Sequence, residues 1–132
     1  MNNNYAEMDK SDQNVSISAL KNTVKVFCED RDWDQYHNPK DLAVAIITEA
    51  SELLELFRFK TQDDMVAMMD NPDKRIKIAD ELSDIFYFIL RFSEKYDYDL
   101  TREFFRKMTE NEKKYPVDKF KGSNKKYSEA GE

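Results

Sequence analysis

Two glycines and three prolines are all that interrupt 132 residues. That scarcity limits the fold more than any other feature. Sandwiches and barrels need turn residues at short intervals, and doubly wound folds need glycine-rich loops under their phosphates. This chain has neither, and 36% of its residues are charged. Few breakers and many charges predict helices on polar ground.

Apolar residues recur at helical spacing along the chain. Ile17, Leu20, Val24, Phe27 and Cys28 mark a first helix within Val15 to Tyr36, with Ser16 or Ser18 as its cap. Asn38 and Pro39 open a second helix, which runs to about Phe59 and carries Leu42, Ala45, Ile46, Leu53 and Phe57. A connection holding a short helix near Asp64 to Met69 follows. Asn71 and Pro72 open a third long helix, about Asp73 to Tyr96. Thr101 caps a fourth that ends near Tyr115. The expectation is a polar, flexible tail over 1–14, one all-α domain over 15–115 shaped like a four-helix bundle, and a polar, basic tail over 116–132. A thin core with apolar residues on more than one helix face further predicts a homo-oligomer, dimer or tetramer.

The net charge of −6 argues against a protein that holds a nucleic-acid polymer, which would show a basic surface. No apolar run spans a membrane, and MNNNYAEMDK lacks the basic-then-apolar order of a signal peptide. The lone Cys28 suits a reducing compartment. These features predict a cytoplasmic protein without a membrane partner.

Two stretches stand out. EASELLELFRF, from residue 49, puts Glu49 and Glu52 among core-facing residues. DELSDIFYFIL, from residue 80, does the same with Glu81 and Asp84. Residues three apart share a helix face, so each pair presents two neighbouring carboxylates. Such pairs are commonly solvated surface charge. Here they sit on successive core helices with apolar residues on both sides and no inward lysine. Four converging carboxylates repel one another and resist desolvation. A divalent cation with all-oxygen ligation, Mg²⁺ or Mn²⁺, would relieve both, and no His or Cys joins the set to favour zinc.

In their order and spacing these motifs resemble the E-x-x-E … E-x-x-D signature of the MazG-like all-α nucleoside triphosphate pyrophosphohydrolases, and within them the small dCTP pyrophosphatase branch. The similarity takes in FCEDRDWDQYHNPKDLA before the acidic motifs and NEKKYPVDKFKGSNKKY after them, nearly the whole chain. The resemblance implies Mg-dependent hydrolysis of a nucleoside triphosphate, dCTP or a related pyrimidine nucleotide, to the monophosphate and pyrophosphate. It implies metal held by Glu49, Glu52, Glu81 and Asp84. Glu52 is the candidate to accept the proton of the attacking water. It also implies a nucleotide site that includes Trp33 and His37, which the periodicity places one turn apart at the end of the first helix. Trp33 would stack on the base and His37 would bond a base or sugar edge. Phe59 stands where relatives carry Trp, and Phe88 where they can carry Tyr. Asn111 matches a nucleotide-contacting asparagine. Lys119, Lys121, Lys125, Lys126 and Tyr127 would meet phosphate oxygens. Two rival readings are a non-enzymatic helical interaction module and a phosphohydrolase that releases orthophosphate.

Overall fold

A computed structural model describes residues 9–129, and every regular element among them is helical. The elements are α1 (Ile17–Glu29), α2 (Pro39–Phe57), α3 (Gln62–Asp70), α4 (Pro72–Lys95), α5 (Leu100–Lys114) and the single turn α6 (Val117–Phe120). Short 3-10 turns occupy Asp34–Tyr36 and Tyr127–Glu129. None of these helices is long and apolar enough to cross a membrane. The chain divides into two compact units, with the division between Asp97 and Tyr98. Of the N-terminal segment expected to be flexible, residues 1–8 lie outside the described part, and the amide of Val15 closes a turn on the carbonyl of Ser11.

In the first unit α4 is the axis. Its most extensive packing is with α2, and α1 and α3 also pack against it. Leu42, Val24, Cys28, Ile78 and Leu90 form the buried apolar core. The helix starts obey local chemistry. Ser16 Oγ accepts from the Ala19 amide at 3.1 Å, Asn38 caps α2 through Asp41, and Asn71 caps α4 through Lys74. Pro39 and Pro72 fill first-turn positions, where a missing N–H costs nothing. Thr61 and Asp64 form a reciprocal capping box that makes α3 longer than its weak apolar pattern suggests.

Three boundaries differ from the sequence expectation. α1 stops at Glu29 and does not reach Tyr36. Asp32 adopts φ +53, its amide returns to Glu29 O, and the Trp33 amide returns to Cys28 O at 3.0 Å. That pattern is a Schellman stop with aspartate in the left-handed position. α2 stops at Phe57, because Phe59 takes φ +59 in a turn closed by the Lys60 amide on Phe57 O. The second unit's α5 is capped by Asp99, two residues before Thr101, with Asp99 Oδ1 accepting from the Arg102 amide at 2.9 Å. Within that unit, Tyr115 packs edge-on against Phe120 and Tyr127, and Lys114 lies over the rings of both tyrosines.

Candidate functional site

Leu42, one of the most buried side chains, fixes which face of α2 meets the core. Glu49 follows it by seven residues and Glu52 by ten, so both lie along the same stripe. The same arithmetic on α4 aligns Glu81, Asp84, Phe88 and Arg91, spread over about 15 Å of helix.

Where α2 meets α4, one oxygen each from Glu49, Glu52 and Glu81 lies within 4.8 Å of the other two. Glu49 and Glu81 are half-buried, and Glu52 is exposed. Glu81 Oε2 is shut off from solvent and has no hydrogen-bond partner among the described residues. Burial pushes both the Glu49 and the Glu81 carboxyl above the ordinary glutamate range. Neighbouring charge, that of Glu52 first and of Asp84 next, pushes each further. Asp84, exposed and one turn beyond Glu81, is outside the close group and acts on it through charge. No Lys or Arg among the described residues forms an ion pair with these carboxylates.

A buried carboxylate oxygen without a partner costs free energy in most settings. An all-oxygen set that crowds negative charge around it matches the needs of a hard divalent cation. The residues present therefore fit a magnesium-type ion.

At the other end of the α4 stripe sits the connection that follows α1. Trp33 and His37 flank the 3-10 turn rather than ending a helix, which corrects their expected placement. Trp33 is 40% exposed, and its ring meets Phe27 in a T-shaped contact at 5.7 Å. Phe27 in turn meets Tyr87, and Tyr87 meets Phe88, so edge-on rings run from the connection to the α4 stripe. The half-buried His37 ring accepts a hydrogen bond at Nδ1 from Arg91 Nε at 2.8 Å. Arg91 also donates to Glu94 at 2.6 Å and to Asp34 at 2.7 Å. Lys95 Nζ stands 3.2 Å from the same Asp34 carboxylate. Hydrogen bonds from Arg91 and Lys95 hold the Asp34 carboxyl below the usual aspartate range. Burial lowers the His37 pKa, and the charges of Arg91 and Lys95 lower it further.

Arg91 and Asp34 are site residues that the sequence motifs do not mark. The one local signal was an arginine inside the apolar run IFYFILRF, at the spacing that continues from Glu81 through Phe88. Phe59 is almost fully exposed, with Arg58 stacked 4.7 Å from its ring centre. In the second unit, Asn111 is half-buried on α5. Lys119 and Tyr127 line a hollow of about 360 Å³ together with Lys113 and Lys114, whereas Lys121, Lys125 and Lys126 are exposed and do not line it.

The model of the MazG-like family matches residues 44–129, which include both acidic pairs and exclude Trp33 and His37. The dCTP pyrophosphatase 1 of Rattus norvegicus is 34% identical over 103 residues, and that of Homo sapiens is 33% identical over the same length. Each alignment covers 78% of this chain, and the chain spans 61% of the length of these curated relatives. A pyrophosphatase from Archaeoglobus fulgidus has a similar solved structure, with a TM-score of 0.72 and 28% identity. The match covers 82% of this chain and 99% of that one.

Proposed function

Because the chain belongs to the MazG-like family, we propose that it hydrolyses nucleoside triphosphates to the monophosphate and pyrophosphate, with dCTP or a related pyrimidine nucleotide preferred. One observation carries the reading: one oxygen each of Glu49, Glu52 and Glu81 gathers within 4.8 Å of the others, and Glu81 also carries a buried oxygen with no hydrogen-bond partner among the described residues. The named relatives supply the substrate class.

Glu49, Glu52 and Glu81 would hold Mg²⁺, with Asp84 adding negative charge from the next turn. A bound Mg²⁺ supplies charge neutralisation for phosphate oxygens and acidifies a coordinated water. Glu52, the most open of the three, would take a proton from the attacking water. The α4 stripe gives the ligand a direction. Phosphates belong at the Glu81 end, and the nucleoside, bonded to the α-phosphate, extends from there along the stripe towards Phe88, Arg91 and His37. Trp33 offers an aromatic face for the base, and Phe59 a second, smaller one. In the second unit, the hollow bearing Lys119 and Tyr127 has the chemistry to receive phosphate oxygens, while Asn111, Lys121, Lys125 and Lys126 are assigned by resemblance. A cytoplasmic setting and self-association complete the proposal.

The test is to incubate the protein with Mg²⁺ and dCTP, dUTP, dTTP, dATP and dGTP, and to assay pyrophosphate and orthophosphate separately. Pyrophosphate is the expected product, with dCTP giving the highest kcat/KM. Orthophosphate alone would point to a different phosphohydrolase. No release from any nucleotide would favour the interaction module.

A further inference from the structure

We infer that Arg91 is a positioning residue that holds His37 as the neutral Nε2–H tautomer, so that the ring offers a ligand one hydrogen-bond donor and no acceptor. This deepens the nucleotide reading and rests on it for the identity of the ligand, an acceptor atom on the nucleoside part. The geometry around His37 is independent of that reading.

The Arg91 side chain is 2% exposed, and all three of its nitrogens are committed. Nη1 donates to Glu94 and Nη2 to Asp34, which fixes the plane of the guanidinium from both sides. Nε then points at His37 Nδ1, 2.8 Å away. A guanidinium has only donors and keeps its proton. Nδ1 must therefore carry a lone pair, and the hydrogen of the neutral ring sits on Nε2. Forming the imidazolium would put a proton between two nitrogens that already share one, beside the positive charges of Arg91 and Lys95. Among the described residues, the negative charge acting on the ring is that of Asp34, and its carboxylate is already engaged by both cations.

The backbone is held as firmly. The His37 amide donates to Asp34 O, and Tyr96 Oη lies 3.4 Å from His37 O. Lys95 Nζ also donates to Asp34 O at 2.6 Å. Nε2 has no partner among the described residues. A salt bridge whose only task was to pin the connection to α4 would need Asp34, Arg91 and Glu94 and nothing more. Spending the Nε–H on an imidazole nitrogen determines what the opposite nitrogen can do.

The chain has a single histidine, so its ring signals need no assignment. This 132-residue chain, labelled with ¹⁵N in histidine, is followed by long-range proton–nitrogen correlation from pH 5 to pH 8. The expected spectrum at neutral pH shows a protonated Nε2 and an unprotonated Nδ1, with a titration midpoint below the ordinary histidine value of about 6.5. A protonated Nδ1, tautomer averaging or an imidazolium at pH 7 would overturn the assignment. In Arg91→Met the tautomers should average and the midpoint should rise. KM should rise about five- to tenfold, as for one lost hydrogen bond, with a smaller change in kcat. Arg91→Lys keeps a buried cation and a donor, and should restore part of both effects. A folded Arg91→Met with the parent's tautomer and midpoint sinks the proposal. If the Met variant does not fold, the parent spectrum and the Lys variant decide. A parent that shows the expected tautomer but hydrolyses no nucleotide defeats the nucleotide reading and leaves the role of Arg91 standing.

Discussion

At Glu81 two physical demands oppose each other. The helix stripe carries its side chain into the α2–α4 contact, and the same burial shuts Oε2 off from solvent with no donor among the described residues. Glu81→Gln removes one negative charge from the crowd and keeps the shape. The metal-free variant should melt about 2–5 °C above the parent. It should also lose the rise in melting temperature that Mg²⁺ gives the parent, and hydrolysis should fall about 100-fold or more. A variant that keeps the Mg²⁺-induced rise would place Glu81 outside the site. His37 makes a different prediction. Burial, then Arg91 and Lys95, hold its folded pKa below the ordinary value. The unfolded chain therefore takes up a proton that the folded chain refuses, and stability is lost as pH falls through the ordinary histidine value towards the folded one. Asp34, also depressed, loses its contribution lower down, below the usual aspartate value. Urea unfolding of His37→Gln should thus lose less stability between pH 7 and pH 5 than the parent does. Equal losses would contradict the burial and charge argument.

At the scale of elements, termini control where the site residues stand. Asn71 ends α3 through its amide on Met68 O and starts α4 through its side chain on the Lys74 amide. Asn71→Ala should cost about 1 kcal/mol in urea unfolding, with helical content otherwise kept. A variant as stable as the parent would show that neighbouring packing, not the cap, sets the start of α4. Phe59 is the opposite case. A bulky residue at φ +59 is strained, and its exposed ring gains little burial in return. Phe59→Gly should be at least as stable as the parent despite the looser unfolded chain. If the ring serves the base, KM for dCTP should still rise severalfold. Lower stability with unchanged KM would assign the ring to structure instead.

For the molecule as a whole, the apolar surface is the feature to explain. Val44, Ile47 and Leu54 share one side of α2, turned away from the carboxylates, and Ile47 and Leu54 are each 68% exposed. Light scattering at micromolar concentration should give a mass above the chain's 15.7 kDa, and Ile47→Lys should lower it. A parent that scatters as a single chain would remove this surface as an interface. Much of this is legible in the sequence alone. Ser16, Asn38 and Asn71 are caps because a short polar side chain reaches only its own next turn, and the acidic pairs share a face because three residues make nearly one turn. The all-helical class followed from missing breakers. Tertiary structure alone decided the rest. α1 stops early because Asp32 turns left-handed and sets Trp33 against Phe27. Glu49, Glu52 and Glu81 become one cluster, with Asp84 outside it, only once α2 lies on α4. Arg91 finds His37 across 54 residues of sequence. Caps and helical faces depend on atoms a few residues apart, whereas a converging charge or a fixed tautomer depends on which helices pack together, and that is settled by burial summed over the whole chain.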